Sequence, residues 1–307
     1  MRKLLILKLG IFFVICFSII TFILIKYGGN VDFFYEKFTT PKAKSLIIGD
    51  SRSFQGIQPN VIDDYFINKG FDIPVMNYSF TGAQAIAGPL YNASILKKLD
   101  STATNGIFII SITPDFLTSK DGYNNNLGEF RESHQPPHNM THVDISPNYE
   151  YLIKNLSFFH FKAVFKKTSK THKNGWLEES NLPKDSLVFD TWRKQQIDVF
   201  LEDRSTYKIS KFRIKSLDML IKKLKPFGKT YLVRMPISKE FLKMENSYYP
   251  QLNTIINSLA NGNNIPFFDF NNSEKLLYET YDGHHIDKYD GKRFTQTLCD
   301  SIFFSKK

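Results

Sequence analysis

A chain of 307 residues is long enough to bury a full core in one large domain, or in one domain plus an insertion. Two cysteines, Cys16 and Cys299, exclude a disulfide-framed scaffold. The net charge is +10, but residues 1–44 hold seven Lys/Arg against Asp32 and Glu36, a local +5 that leaves +5 for all the rest. No nucleic-acid-binding module accompanies that surplus, so nucleic acid is not an expected partner, and a surface near anionic lipid or acidic glycan is.

The first element follows Arg2, Lys3 and Lys8. From Leu9 to Ile25 the sequence is uncharged and almost wholly apolar, and extended back to Leu4 it is long enough to cross a bilayer with Lys8 snorkelling toward the headgroups. No small-x-small cleavage pattern follows it, which favours an uncleaved signal anchor over 1–30 rather than a removable peptide. The cationic short side places the N-terminus in the cytoplasm and the main domain outside. Residues 31–44 are expected as a stalk, and 45–307 as the main domain.

Short apolar runs then alternate with amphipathic segments, the pattern of a doubly wound parallel sheet in an α/β fold. Leu46-Ile47-Ile48 reads as a buried strand that stops at Gly49-Asp50-Ser51, delivering Ser51 to its carboxyl end. A helix opens at Pro59-Asn60 and closes by Gly70. Pro74–Tyr78 is a second strand, Pro89–Leu99 a second helix, and Gly106–Ser111 a central strand. The alternation stops from about Phe116 to Arg204, an expected insertion with a few helices. It resumes with Leu217, Leu220, Ile221 and Leu224 on one helix face, a strand at Tyr231–Met235, and a helix carrying Leu252, Ile255, Ile256 and Leu259. Ile265–Phe270 is a strand whose proline suits a sheet edge, and a last helix covers Arg293 to about Phe303.

In open α/β sheets ligands bind at the carboxyl ends of the strands. Ser51 stands at such an end and needs a base from elsewhere to become a nucleophile. The late loop Asp282-Gly283-His284-His285 offers one: His285 as base, with Asp282 holding its tautomer and stabilising the imidazolium. Alternatives remain for each. Ser51 or Ser53 can cap a following helix, and His284 competes with its neighbour as base. Asp50 is expected to organise the turn, and Arg52 to be exposed or to meet an anionic substrate group.

Gly49-Asp50-Ser51 early, Asn77-Tyr78-Ser79-Phe80-Thr81-Gly82 next and Asp282-x-x-His285 late resemble, in that order, the SGNH/GDSL hydrolase family. The resemblance implies a flavodoxin-like sheet of the SGNH-hydrolase type, no cofactor, a serine ester hydrolase or O-acyltransferase, and oxyanion donors from the backbone amides of Ser51 and Gly82. Close backbone approach to a substrate is a physical reason for glycine at 82. The family's third-block asparagine is absent from Ser111-Ile112-Thr113-Pro114-Asp115, so Arg234 or Asn77 is a candidate replacement. Anchored relatives of this kind act on acylated cell-surface polymers, which makes an acylated cell-envelope polysaccharide the expected substrate, beside the membrane and an unknown membrane partner. The alternative is a catalytically divergent domain that binds glycan or such a partner.

The insertion carries two further patterns. His134, His138 and His142, with Glu129 and Glu132, have the spacing of metal ligands on a helix, but Pro136 and Pro137 interrupt any such helix, so no metal is assigned. Lys162, Lys166, Lys167, Lys170 and Lys173 form a basic run interleaved with Phe158, Phe159, Phe161, Phe165 and Trp176. This is a solvated face over core aromatics, or a surface for anionic lipid or carbohydrate.

Overall fold

In a computed structural model describing residues 2–165, 169–180, 182, 185–204, 206–272 and 278–305, the buried run Ser45–Ile48 forms β1. It pairs in parallel with β2 (Val75–Asn77) on one side and β3 (Gly106–Ser111) on the other. β3 pairs in turn with Gly228–Arg234, and that strand with Phe267–Asp269, both parallel. Counting three short antiparallel pieces of the insertion and its exit, β4 (Thr118–Lys120), β5 (Ser169–Thr171) and β6 (Leu177–Glu179), and then β7 (Tyr207–Ile209), these last two strands are β8 and β9. The main sheet therefore runs β2-β1-β3-β8-β9, the flavodoxin-like order, with the proline-led β9 on an edge.

The helices in chain order are α1 (Arg2–Val31), α2 (Ser51–Gly56), α3 (Pro59–Phe66), α4 (Pro89–Lys98), α5 (Tyr149–Lys154), α6 (Ser186–Arg204), α7 (Lys211–Leu224), α8 (Lys239–Tyr248), α9 (Leu252–Asn263) and α10 (Lys288–Phe304). Period-two alternation sorts the strand side chains onto two faces. Leu46, Ile48, Phe108, Ile110 and Leu232 face α4, α7 and α9 through Ile95, Leu217, Leu220, Leu224 and Ile256. Ile47, Ile107, Ile109 and Val233 face α3 and α10 through Ile62, Phe66, Phe294, Leu298 and Ile302. Both faces are covered, as a parallel sheet requires.

Among the described residues α1 is the one helix long and apolar enough to cross a membrane, by length and composition. The stalk expected at 31–44 is corrected by the structure. Val31, Phe34, Tyr35 and Phe38 are buried in the main core, where Phe34 meets Phe54 and Phe80, and Phe38 stacks on Tyr151 at 5.0 Å. Lys37 is buried too, donating to the carbonyls of Asn77 and Gly175 with its ammonium 3.9 Å from the Phe54 ring centroid. A solvated stalk has no reason to carry three aromatics in five residues; these fill space between the sheet and the insertion.

The insertion leaves and returns through one antiparallel clasp, Thr118 opposite Ile209 and Lys120 opposite Tyr207. Its longest element, α6, passes over the carboxyl edge of the sheet, where Phe200 packs edge-on against Phe241 of α8 and Trp192 against Tyr281.

Candidate active site

Gly49 has φ +155°, and a Cβ there would lie 2.5 Å from Ser53 Oγ and 2.8 Å from Ser111 Cβ. The turn after β1 thus needs glycine, and it brings the chain back sharply enough for α2 to start at Ser51. Asp50 is the N-cap: its carboxylate accepts from the Arg52 N–H at 3.0 Å and from Thr113 Oγ1 at 2.6 Å. The capping role that the sequence offered to Ser51 or Ser53 belongs to Asp50, which leaves the Ser51 hydroxyl free of the helix.

The loop after β9 brings His285 to Ser51. His285 Nε2 lies 2.7 Å from Ser51 Oγ, and its Nδ1 lies 2.7 Å from Asp282 Oδ2. With Nδ1–H donating to Asp282, Nε2 faces Ser51 as an acceptor. The His285 backbone N–H also donates to Asp282 Oδ1 at 2.9 Å, so carboxylate and imidazole are locked by one three-residue turn. Burial alone would raise the Asp282 pKa, but facing His285 holds the carboxyl well below the usual carboxylate range.

His284 points elsewhere. Its ring is parallel to Phe241, and burial, together with the neighbouring His285, pushes its pKa well below the ordinary value. Asp282, His284 and His285 are also the described residues whose donor atoms lie within 4.8 Å of one another, as in a metal site. With Nδ1–H on Asp282, the one ring lone pair of His285 is at Nε2 and points at Ser51 Oγ, so an ion held there would displace that contact.

A pocket of about 270 Å³ opens beside Ser51 and His285, lined by Ser51, Arg52, Gly82, Asp115, Arg131 and Tyr207 among others. The N–H groups of Ser51 and Gly82 are not hydrogen-bonded to any described residue. No protein atom lies within 4 Å of where a Gly82 Cβ would stand, so crowding by the protein is not what glycine relieves there. A larger cavity, about 640 Å³, lies by Lys225, Lys229 and Asn263 near the amino end of β8, and its lining has no acid or histidine.

The two candidate replacements for the missing asparagine are not in the pocket. Asn77 is buried beneath it, donating from Nδ2 to the carbonyls of Ser53 at 2.8 Å and Ile57 at 3.0 Å while its Oδ1 accepts from the Ser79 N–H. It fastens the backbone behind Ser51. Arg234 is buried at the end of β8, donating to Glu245 at 3.1 Å and to Asn253 and Asn246 at 3.0 Å. Its charge is spent on Glu245, which also binds Arg52. The expectation of an exposed Arg52 is likewise corrected, because that ion pair takes it into the interior at the pocket wall.

Sequence reading missed most of the walls: Arg131, Gln196, Val199 and Phe200 come from the insertion, Tyr207 from its exit strand, and Phe241 from α8. Nothing local marks these positions. Glu179 of β6 was also missed; burial pushes its carboxyl up to about 7, against the pull of His285. The insertion histidines do not converge. His138 meets the Gln84 carbonyl, His142 meets Glu150, and Glu132 forms a buried pair with Arg213. Of the basic run, Lys166 and Lys167 lie outside the described residues, and Lys173 pairs with Glu36. Of its aromatics, Phe159 is core, Phe165 is exposed, and Trp176 donates to the Gln55 carbonyl.

On this α/β fold Gly-Asp-Ser at the end of β1, the Gly82 turn after β2 and the Asp-x-x-His loop after β9 converge on one sheet edge, an arrangement similar to that of the SGNH hydrolases. No protein-family model matches the chain, and no curated protein matches it. Similar solved structures include a carbohydrate acetylesterase from Sinorhizobium meliloti, with TM-score 0.41 and 10% identity over 85% of this chain and 98% of that one. Others are a lipase/acylhydrolase from Enterococcus faecalis, at 0.38 and 10% over 86% and 95%, and an aryl esterase of M. smegmatis, at 0.38 and 10% over 84% and 97%. At such distances the chemistry has to be read from this chain's own site.

Proposed function

We propose that the protein is a membrane-anchored serine acyl-ester enzyme acting on an acylated cell-surface glycan, with Ser51 as nucleophile, His285 as general base and Asp282 as its orienting carboxylate. The observation that carries this reading is the continuous relay from Ser51 through His285 to Asp282, both links 2.7 Å long. Ser51 Oγ attacks the ester carbonyl as His285 Nε2 takes its proton, and the amides of Ser51 and Gly82 receive the developing oxyanion. The His285 imidazolium then protonates the departing alcohol, leaving an acyl group on Ser51. Water or a sugar hydroxyl, deprotonated by the same imidazole, releases that group as acid or as a new ester.

The small pocket suits a short acyl group against Ile86, Val199, Phe200 and Phe241, with Arg131, Asp115, Gln196 and Tyr207 as polar groups able to meet hydroxyls. From the Ser111–Asp115 loop only Asp115 lines the pocket, so no apolar side chain from it blocks the oxyanion position, which weighs against a binding-only domain. The anchor reading rests on α1 and its flanking Arg2, Lys3 and Lys8, which favour an extracytoplasmic catalytic domain.

The test uses the full chain in detergent or nanodiscs, because removing everything before Ser45 would strip Phe34, Tyr35 and Phe38 from the core. Hydrolysis of p-nitrophenyl acetate and labelling by a fluorophosphonate, both absent in Ser51→Ala and His285→Ala, are expected. A folded wild-type protein that neither hydrolyses nor labels would overturn the enzymatic reading.

A further inference from the structure

The transmembrane segment does not stand clear of the domain it carries. Phe17 stacks on Tyr149 of α5 with ring centroids 5.2 Å apart, Thr21 Oγ1 is 2.8 Å from the Tyr149 hydroxyl, and Leu24 is fully buried. A hydrocarbon core about 30 Å thick takes about 20 helical residues. Counted from Leu4, after Arg2 and Lys3, those residues end near Ile23; counted from Leu9, after Lys8, they end near Gly28. At about 1.5 Å per residue, Phe17 then lies roughly 9 to 17 Å below the outer boundary of the apolar layer. In either register the residue that Tyr149 touches is inside the bilayer, so Tyr149 is carried below the surface with it.

The segment around Tyr149 is built for such a place. Ile153 is 80% exposed, Leu156 57% and Phe165 90%, a set of large, mostly exposed apolar side chains. Glu150, the one acid of α5, has its oxygens occupied by the N–H groups of Thr141 and His142 and by Lys154. Exposed Lys162 and Lys170 form no ion pair among the described residues and are free to meet anionic headgroups.

We infer that the face formed by residues 149–165 is seated in the outer leaflet against α1, with Ile153, Leu156 and Phe165 among the acyl chains and Lys162 and Lys170 at the headgroups. This rests on the anchor reading above. The partner is the lipid bilayer itself, and the consequence is that α1 and the domain move as one body, held at a set depth by lipid contact and not swinging on a tether.

The test is site-directed spin labelling of the full chain in phosphatidylcholine–phosphatidylglycerol vesicles. Cys16 is first replaced by alanine, while Cys299 is buried and does not label. Single labels are placed by Phe13→Cys in α1, by Ile153→Cys and Phe165→Cys in the seated face, and by Ser258→Cys on exposed α9 near the β9 edge. All four positions are surface-exposed, and circular dichroism checks the fold. Labels at 13, 153 and 165 are expected to relax with oxygen and to resist a water-soluble nickel chelate, and the label at 258 to do the reverse. Labels at 153 and 165 that behave like 258, with 13 in lipid, would overturn the seating and leave the anchor standing. A water-accessible label at 13 would overturn the anchor and the seating together.

Discussion

Phe241 lies face to face with His284, ring centroids 5.0 Å apart and planes 9° apart. That contact holds one of two adjacent histidines against α8 while the other, His285, turns to Ser51. Replacing His284 by phenylalanine keeps the stack and is expected to change kcat/KM for p-nitrophenyl acetate by less than about tenfold, or ~1.4 kcal/mol of barrier. His285→Ala is expected to abolish turnover above the background of the esterase assay. Asp282→Asn should keep the fold but lose the tautomer control, lowering kcat by about 10⁴.

Glu179 is the acidic neighbour of the relay. As a carboxylate it favours the His285 imidazolium, and its own charge comes on near pH 7, where burial has moved it. Glu179→Gln removes a carboxyl that titrates near pH 7 beside the relay, so an inflection that this group gives the kcat/KM profile near pH 7 is expected to vanish in the variant. Profiles of both proteins from pH 5 to 9 check this; identical profiles would count against any coupling.

Glu245 joins Arg52, next to Ser51, with Arg234 at the end of β8. Burial would raise its pKa, but the two guanidiniums hold the carboxyl below its ordinary 4.5. Its contribution to stability is therefore present above about pH 4.5 and is lost as pH falls below it. Glu245→Gln takes from two buried guanidiniums the carboxylate they share, leaving Arg234 with Asp269 at 3.9 Å and Arg52 with the field of Asp50, a cost of about 3–5 kcal/mol and a Tm drop of roughly 10 °C at neutral pH. Thermal melts of both proteins at pH 7 and pH 4 should converge on the acid side.

Gly49 and Gly82 separate fold from site. Gly49→Ala drives a methyl into Ser53 and Ser111 and should lower stability by about 1–3 kcal/mol while displacing Ser51. Gly82→Ala meets no protein atom, so the melt should stay unchanged and any loss should appear in kcat/KM alone. Equal Tm losses in the two variants would contradict that division.

The strands and the serine were legible because their signals are local. Leu46-Ile47-Ile48 and Gly106–Ser111 are apolar on both faces, and a glycine ends the first at the serine. That Asp282 and His285 meet was legible because they share one short turn. Three things were not. The role of Asn77 depends on which way one side chain points, and it points down into the turn behind Ser51. The core position of Phe34, Tyr35 and Phe38 depends on Tyr151 and Phe159, more than a hundred residues later. The pocket walls come from α6, a half-buried helix with weak amphipathic spacing, whose place over the sheet edge is fixed by Phe200 and Trp192 meeting Phe241 and Tyr281.

The clasp of β4 on β7 gives the insertion a single doorway, with Thr118 and Ile209 as its two posts. The cost of closing a loop rises by only about 0.6 kcal/mol per doubling of length, so exposed turns inside it can lengthen at little cost, while Tyr151 and Phe159 tie the rest to the core. That same stretch holds Arg131, Gln196 and Phe200 of the pocket and Tyr149 and Tyr151 against the N-terminal segment. On the proposed function and the inferred seating, pocket walls and membrane contact come from one contiguous cassette, and a recombination between its posts is expected to transplant both together.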